Sequence, residues 1–139
     1  MQVLVVDDEM QAAILATVIL EGLGHEVVVA GCGDHALEAV QEGRFDLLMT
    51  SLTMSGMGGL ELIGQVRRVR PVLPVIASTR HRLNRQEQAR LAMIGPPVVL
   101  LEKPWYGAAL TLAVRSIGGF YKYRPHSELA PKQGCWLAS

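Results

Sequence analysis

The stretch that decides the fold is Gln2-Val3-Leu4-Val5-Val6-Asp7-Asp8-Glu9. Its opening apolar run is rich in β-branched residues, which is typical of a strand buried on both faces of a sheet. The run stops at three consecutive acids, so the strand predicted over 2–6 ends at a cluster of carboxylates. A helix is predicted next, over 10–23, because apolar residues recur there at helical spacing and Gly24 follows as a stop signal.

The same alternation of a short apolar run and a helical pattern continues along the chain. Because parallel strands need crossover connections, this alternation predicts a doubly wound α/β domain with a five-stranded parallel sheet. The periodicity ends at Gly118-Gly119, so we expect a single domain over 1–119 and a C-terminal tail or linker over 120–139. The predicted strands are 2–6, 25–30, 45–50, 74–78 and 98–101, and the predicted helices are 10–23, 33–41, 59–70, 84–94 and 105–117.

Composition limits the classes of function. The 139 residues carry 13 acidic and 13 basic side chains, but the stretch 1–43 contains no Lys or Arg. This split favours a local cation site and a charged docking face over general nucleic-acid binding, which usually needs a net basic domain. No early apolar run is long enough to cross a bilayer, so we expect a cytoplasmic protein without direct contact to nucleic acid or membrane.

In a doubly wound sheet, ligand chemistry gathers where the strands end. The residues predicted at that edge are the pair Asp7-Asp8, then Ser51, Thr79 and Lys103. Four separate segments of the chain therefore converge on one candidate site.

The order of these motifs resembles the receiver domain of bacterial two-component response regulators, from about residue 2 to about residue 117. The resemblance implies a flavodoxin-like sheet with strand order 2-1-3-4-5. The fragments that carry it are Val3-Leu4-Val5-Val6-Asp7-Asp8-Glu9, Phe45-Asp46-Leu47-Leu48-Met49-Thr50-Ser51, Gly58-Gly59-Leu60-Glu61-Leu62, Pro74-Val75-Ile76-Ala77-Ser78-Thr79 and Leu101-Glu102-Lys103-Pro104-Trp105.

The resemblance also implies roles for the residues at the edge. Asp7 and Asp8 match the pair that binds Mg²⁺, Thr79 matches the switch hydroxyl, and Lys103 matches the phosphate-binding lysine. Ser51 stands where the family has the aspartate that accepts the phosphate. A carboxylate at that position would also be a metal ligand, so the resemblance implies Mg²⁺ binding that is at most weak.

Other departures from the family pattern point in the same direction. A glycine-rich loop over 55–59 replaces a loop that usually contains proline and aspartate, and should be more mobile. Arg80 follows the switch hydroxyl where a small residue is usual, and Leu100 replaces the aromatic residue that reports activation. The sequence therefore predicts a receiver of the degenerate, pseudo-receiver type, which is not an enzyme and which works independently of phosphorylation.

Basic residues mark the expected partner face. Arg80, Arg82, Arg85 and Arg90 lie at and after the start of the fourth predicted helix, a region that carries dimer and output contacts in the resembling family. The implied partner is a histidine kinase, a phosphotransfer protein or an output protein, and the resemblance also allows a homodimer. Arg67, Arg68 and Arg70, at the end of the third helix, are interpreted more simply as favourable charges for the helix dipole.

Two alternative functions stay open at this stage. One is an α/β protein that binds anions or handles phosphate esters through Asp7, Asp8, Ser51 and Lys103. The other is a receiver fragment of a larger DNA-binding regulator, in which DNA contact would belong to an output domain.

Overall fold

The computed structural model of the chain describes residues 1–95, 98–105 and 107–118. All ten predicted elements are present, with ends shifted by one or two residues. The strands are β1 (Gln2–Val6), β2 (Glu26–Ala30), β3 (Leu47–Ser51), β4 (Val75–Thr79) and β5 (Val98–Glu102). The helices are α1 (Met10–Gly22), α2 (Gly33–Glu42), α3 (Gly59–Val69), α4 (Arg85–Ile94) and α5 (Gly107–Gly118).

The strands form one parallel sheet in the order β2-β1-β3-β4-β5. The predicted doubly wound fold and its strand order are therefore confirmed. Because every strand is parallel to its neighbours, all five carboxyl ends lie along the same edge of the sheet.

Helices cover both faces of this sheet and create two cores. The core on one face includes side chains from α2 and α3, among them Ala36, Leu62 and Val66. The core on the other face includes side chains from α1 and α5, such as Leu20 and Leu110. The central strand β3 is buried along its whole length, which explains its apolar residues from Leu47 to Met49.

β3 begins at Leu47, two residues later than the apolar pattern predicted. The cause is Asp46, whose carboxylate accepts a hydrogen bond from the Gln2 amide at 2.8 Å. The Asp46 amide in turn donates to the Gln2 carbonyl at 2.8 Å. Asp46 therefore joins the start of β1 to the segment before β3.

The tail predicted over 120–139 lies outside the described residues. Among the helices that the structure does describe, none is long and apolar enough to cross a membrane.

Candidate functional site

The structure places the predicted site residues at the carboxyl edge of the sheet. Asp7 follows β1, Ser51 ends β3, Thr79 ends β4 and Lys103 follows β5. Lys103 contacts both Asp7 and Ser51, whereas the hydroxyl of Thr79 donates to the carbonyl of His81 in the next loop. The sheet topology therefore assembles the site from segments that are far apart in sequence.

The ammonium group of Lys103 is the centre of the site. Its Nζ lies 2.9 Å from Asp7 Oδ2 and 2.9 Å from Glu9 Oε1. Both contacts are charge-assisted hydrogen bonds. The one to Asp7 is shielded from water, because both side chains are at most 10% exposed, whereas the Glu9 side chain is 42% exposed. Lys103 Nζ also lies 3.5 Å from Ser51 Oγ, at the limit of a hydrogen bond. The cationic group of the site is thus already paired with two carboxylates.

Asp7 is the buried acid of the cluster. Burial raises the pKa of its carboxyl above the ordinary value of 3.8, while the hydrogen bond from Lys103 acts in the opposite direction. Oδ1 of Asp7 accepts a hydrogen bond from the Glu9 amide at 2.9 Å, and Oδ2 faces Lys103. Both carboxylate oxygens therefore have partners within the protein.

Asp8 points elsewhere. It is exposed, and its Oδ2 accepts a hydrogen bond from the Ser55 amide at 3.1 Å, which ties the end of β1 to the glycine-rich loop. Lys103 contacts Asp7 and Glu9 instead. Of the predicted acidic pair, Asp7 therefore binds Lys103 and Asp8 binds the glycine-rich loop.

The donor set fits Mg²⁺ poorly. Mg²⁺ requires near-octahedral oxygen coordination, and both oxygens of Asp7 are engaged by internal donors. Within residues 1–95, 98–105 and 107–118, no group of three or more His, Cys, Asp or Glu side chains could hold a metal ion. The positive charge that faces Asp7 is the ammonium of Lys103.

Ser51 is 3% exposed. Its hydroxyl donates to the Thr53 carbonyl at 3.1 Å, within the loop that follows β3. The start of α3 packs closely behind it, because a Cβ atom at Gly59 would overlap the Ser51 carbonyl oxygen. Gly59 is therefore required by close backbone packing, whatever the mobility of the loop.

Of the two ends of the expected switch, Thr79 joins the site through its backbone, because its carbonyl accepts a hydrogen bond from the Lys103 amide at 2.6 Å. Thr79 is 1% exposed, and its hydroxyl donates to the His81 carbonyl at 2.8 Å. Leu100, in the predicted position of the reporting aromatic, is 41% exposed on β5. The hydroxyl of Thr79 thus stabilises the turn between β4 and α4.

The four arginines of the predicted partner face are all exposed. Arg80 forms an ion pair with Glu9, on the carboxylate that also contacts Lys103. Arg82 lies in the turn before α4, and Arg85 and Arg90 lie on α4. We call Arg80, Arg82, Arg85 and Arg90 the basic surface.

Glu9 is the site residue that sequence reasoning missed. It bridges Lys103 and Arg80, and so connects β1 to the ends of β4 and β5. The sequence did contain a signal for Glu9, because Glu9 continues the acidic run of Asp7-Asp8. The motif assigned chemistry to the first two acids only.

The interpretation of Arg67 was incomplete, although the residue does lie in the last turn of α3. Arg67 is 9% exposed and does more than balance the dipole of its own helix. Its guanidinium donates to the Leu73 carbonyl at 2.8 Å and, at 3.3 and 3.0 Å, to the carbonyls of Ile94 and Gly95. Arg67 therefore caps the C-terminal end of α4 from the neighbouring helix.

Comparison with known proteins agrees with this architecture. Residues 3–115 match the family described as the response regulator receiver domain. The transcriptional regulatory protein ZraR of Escherichia coli (strain K12) is 33% identical over 79 residues, which are 57% of this chain and 18% of that protein. The DNA-binding response regulator MtrA of Mycolicibacterium paratuberculosis is 37% identical over 78 residues, which are 56% of this chain and 34% of that protein. The matches thus span about a fifth to a third of these relatives.

Solved structures give the same result. The chemotaxis protein CheY4 of Vibrio cholerae has a TM-score of 0.77 at 25% identity, with 84% of this chain and 97% of that chain covered. NtrX of Brucella abortus has a TM-score of 0.77 at 27% identity, with 91% of this chain and 29% of that chain covered. With its strand order, its convergent edge residues and this match over 3–115, the chain belongs to the response regulator receiver domain family.

Proposed function

We propose that the chain is a receiver of the pseudo-receiver type, whose signalling does not depend on phosphorylation. Receiver domains are signalling modules of two-component systems that work through protein partners, and in general they are not enzymes. In this proposal, Ser51 occupies the position at which other receivers carry the phosphate-accepting aspartate. The receiver then acts by protein contact alone.

The observation that carries the proposal is the environment of the Ser51 hydroxyl. A serine oxygen becomes a good nucleophile when a neighbouring base removes its proton. Here the hydroxyl donates a hydrogen bond to the Thr53 carbonyl at 3.1 Å, and the charged group in contact with it is the ammonium of Lys103 at 3.5 Å. A backbone carbonyl is not a base, and an ammonium has no free electron pair. Nothing in these contacts activates Ser51 for attack on phosphorus.

The ion pairs support the same proposal. A phosphoryl group bound by Lys103 would have to share its ammonium with Asp7 and Glu9, which already take two of its three N–H donors. Mg²⁺ would have to compete for Asp7 with the ammonium group of Lys103, which already contacts its carboxylate. These contacts also disfavour the alternative of an anion-binding or phosphate-ester protein, because the lysine that such a protein needs is paired. Mg²⁺ binding should be weak at most.

For the partner, we propose a protein that binds the basic surface. Charged faces of this kind steer an oppositely charged partner and fix its orientation. A histidine kinase, a phosphotransfer protein or an output protein are the candidates. ZraR and MtrA are transcriptional or DNA-binding regulators by name, so an output function of that kind is part of the proposal.

We further propose a cytoplasmic location and no direct contact between residues 1–118 and DNA. Binding of duplex DNA by this chain at physiological salt would contradict the proposal on DNA contact.

The experiment that tests phosphorylation independence is an intact-mass measurement after incubation with Mg²⁺ and acetyl phosphate. The wild type and a Ser51→Ala variant, as matched control, should both show no phosphoryl adduct. An adduct on the wild type that maps to Ser51 and is missing from Ser51→Ala would overturn the proposal.

A Ser51→Asp variant in the same assay shows how far the pocket has diverged. If it accepts phosphate, then Asp7, Asp8 and Lys103 still form a working pocket, and the serine alone explains the inactivity of the wild type. If it does not, the pairing of Lys103 with Glu9 and the changed loop are sufficient to block the reaction. Either result is compatible with the proposal, which the wild type alone decides.

A further inference from the structure

A groove of about 550 Å³ lies between α1 and β2, beside the candidate site. Most of its wall is apolar and is formed by Met10, Ala13, Ile14, Val18 and Val29. Met10, Ile14 and Val18 are 75%, 56% and 63% exposed, so much of this apolar surface is open to solvent. A volume of about 300–1,000 Å³ and mostly apolar walls are typical of sites for small molecules.

One end of the groove is negatively charged. Asp7 and Asp8 line it where β1 leads into α1, and none of the described lining residues is basic. Lys103 pairs with Asp7, and Arg80 pairs with Glu9, so two of the three neighbouring acids have a cationic partner. Among the described residues, no Lys or Arg contacts the third acid, Asp8. The groove thus combines an apolar wall with an uncompensated carboxylate.

The surface around the groove has the same sign of charge. The stretch 1–43, which forms β1, α1, β2 and α2, contains no Lys or Arg. Its other acidic side chains are all exposed, namely Glu21, Glu26, Asp34, Glu38 and Glu42. A surface with one sign of charge raises the local concentration of ions of the opposite sign. This face therefore attracts cations and repels a second copy of itself.

We propose that the groove binds a small amphipathic cation, an organic amine whose ammonium group lies at Asp8 and whose apolar chain lies along α1. The apolar wall extends about 12 Å from Met10 to Val18, at the helical rise per residue, which is comparable to an extended octyl chain. Mg²⁺ gains little from such a wall, because it usually keeps several of its waters. A neutral or anionic ligand would leave Asp8 without a partner. The two features together therefore select an apolar amine.

The apolar chain should supply most of the affinity. Each CH₂ group removed from water strengthens binding by roughly fourfold. An exposed ion pair adds at most about fivefold, so the charge decides the class of ligand more than its affinity. For octylammonium we expect a dissociation constant of about 0.1–1 mM, because the groove is open on one side.

Titration of the ¹⁵N-labelled full chain, followed by ¹H–¹⁵N correlation spectra, tests the proposal because it both locates and measures binding. Octylammonium should shift the amide signals of Ala13, Thr17 and Gly31 until they saturate. The ligand 1-octanol has the same chain without the charge and should bind about two- to fivefold more weakly. Ethylammonium has the charge with little chain and should give no saturable shift.

The variant Gly31→Leu tests the groove. Gly31 lines it, a Cβ atom there would meet no other atom within 4 Å, and its φ is not positive, so leucine should be tolerated. The new side chain should fill part of the groove and weaken octylammonium binding at least about tenfold. The matched control is Gly64→Leu on α3, where a Cβ atom also has free space. This control should bind octylammonium like the wild type.

The variant Asp8→Asn tests the charge, because it keeps the shape of the side chain. Its affinity for octylammonium should fall by about two- to fivefold while that for 1-octanol is unchanged, so the preference for the cation disappears. The control Glu42→Gln removes an exposed acid from the end of α2 and should keep the preference.

Four results would overturn the proposal. The first is octylammonium binding that shifts no signal of the groove, and the second is equally tight binding by Gly31→Leu. The third is a preference for the cation that survives Asp8→Asn, because the general acidic surface would then be its source. The fourth is a shift of the Ile14 and Val18 signals with protein concentration in the absence of ligand, which would show that a second copy occupies the groove. None of these results depends on whether Ser51 accepts phosphate.

Discussion

Asp7 holds a negative charge in a buried position, and Lys103 compensates that charge only in part. Burial is the larger influence on the pKa of the Asp7 carboxyl, so this pKa is raised in the folded protein despite the hydrogen bond from Lys103. A raised folded-state pKa means that the neutral carboxyl favours folding more than the ionised one does. The stability contributed by Asp7 is therefore present at low pH and is lost as the pH rises through its folded pKa.

We therefore expect Asp7→Asn to unfold at a higher temperature than the wild type at pH 7, by a few degrees if the change is about 1 kcal/mol. Lys103 keeps Glu9 as a partner in this variant. The difference should shrink as the pH falls and should vanish below the ordinary aspartate value of 3.8, because Asp7 is then protonated in both the folded and the unfolded state. Thermal unfolding between pH 3 and pH 7 measures it. Asp8→Asn, at the exposed neighbour, is the control and should change less; a gap for Asp7→Asn that grows at low pH would contradict this assignment.

Sequence reasoning identified the residues of the site better than their contacts. It predicted that Asp7, Ser51 and Lys103 lie at one edge of the sheet, because parallel strands align their carboxyl ends. It assigned Asp8 the same task as Asp7, whereas Asp8 contacts the Ser55 amide. It left Glu9 without a role, although Glu9 bridges two basic residues. Adjacent residues at a strand end point in different directions, and a motif does not record which of them faces the pocket.

At the scale of elements, helix α4 is positioned by hydrogen bonds at its two ends. None of its residues is buried. Its N-terminus has a capping box, in which Asn84 accepts from the Glu87 amide at 2.8 Å and Glu87 accepts from the Asn84 amide at 2.8 Å. Its C-terminal carbonyls receive hydrogen bonds from the buried guanidinium of Arg67. The helix that carries much of the basic surface is thus positioned by its ends more than by a buried face.

Replacing Arg67 with methionine should therefore loosen α4 selectively. The change removes the donor to the carbonyls of Leu73, Ile94 and Gly95, and we expect the free energy of unfolding to fall by about 1–3 kcal/mol. Hydrogen exchange should show a greater loss of amide protection in α4 than in α1. Arg68→Met, at the exposed position next along α3, is the control and should leave α4 protected. Equal loss of protection in both helices would show that Arg67 has no specific role in α4.

The elements themselves were predictable because each carries its own periodicity, and their ends shifted by only one or two residues. The role of Arg67 was not predictable in this way. Its carbonyl partners Ile94 and Gly95 lie 27 and 28 residues away, and they meet it only after α3 and α4 pack together. At the end of a helix, an arginine that balances the dipole and an arginine that caps a neighbouring helix look the same in sequence.

For the whole molecule, the uneven charge of the sequence has a structural counterpart at the site. The stretch 1–43, which has no Lys or Arg, supplies Asp7 and Glu9, and the remainder supplies Arg80 and Lys103. Folding brings these groups together as a chain of ion pairs across the ends of β1, β4 and β5. We propose that this internal pairing replaces the control by metal and phosphate that other receivers use. In that proposal the fold is kept, and the receiver presents one constant surface.

The most direct test of this proposal is a ¹H–¹⁵N correlation spectrum of the labelled chain, recorded before and after addition of Mg²⁺ and then of acetyl phosphate. Such a spectrum detects both covalent modification and any change of conformation without it. We expect the amide signals of Ser51, Thr79, Lys103 and α4 to keep their positions through both additions. Shifts at these residues that extend into α4 after the phosphodonor is added would contradict the proposal, because they would show a receiver that still responds to phosphorylation.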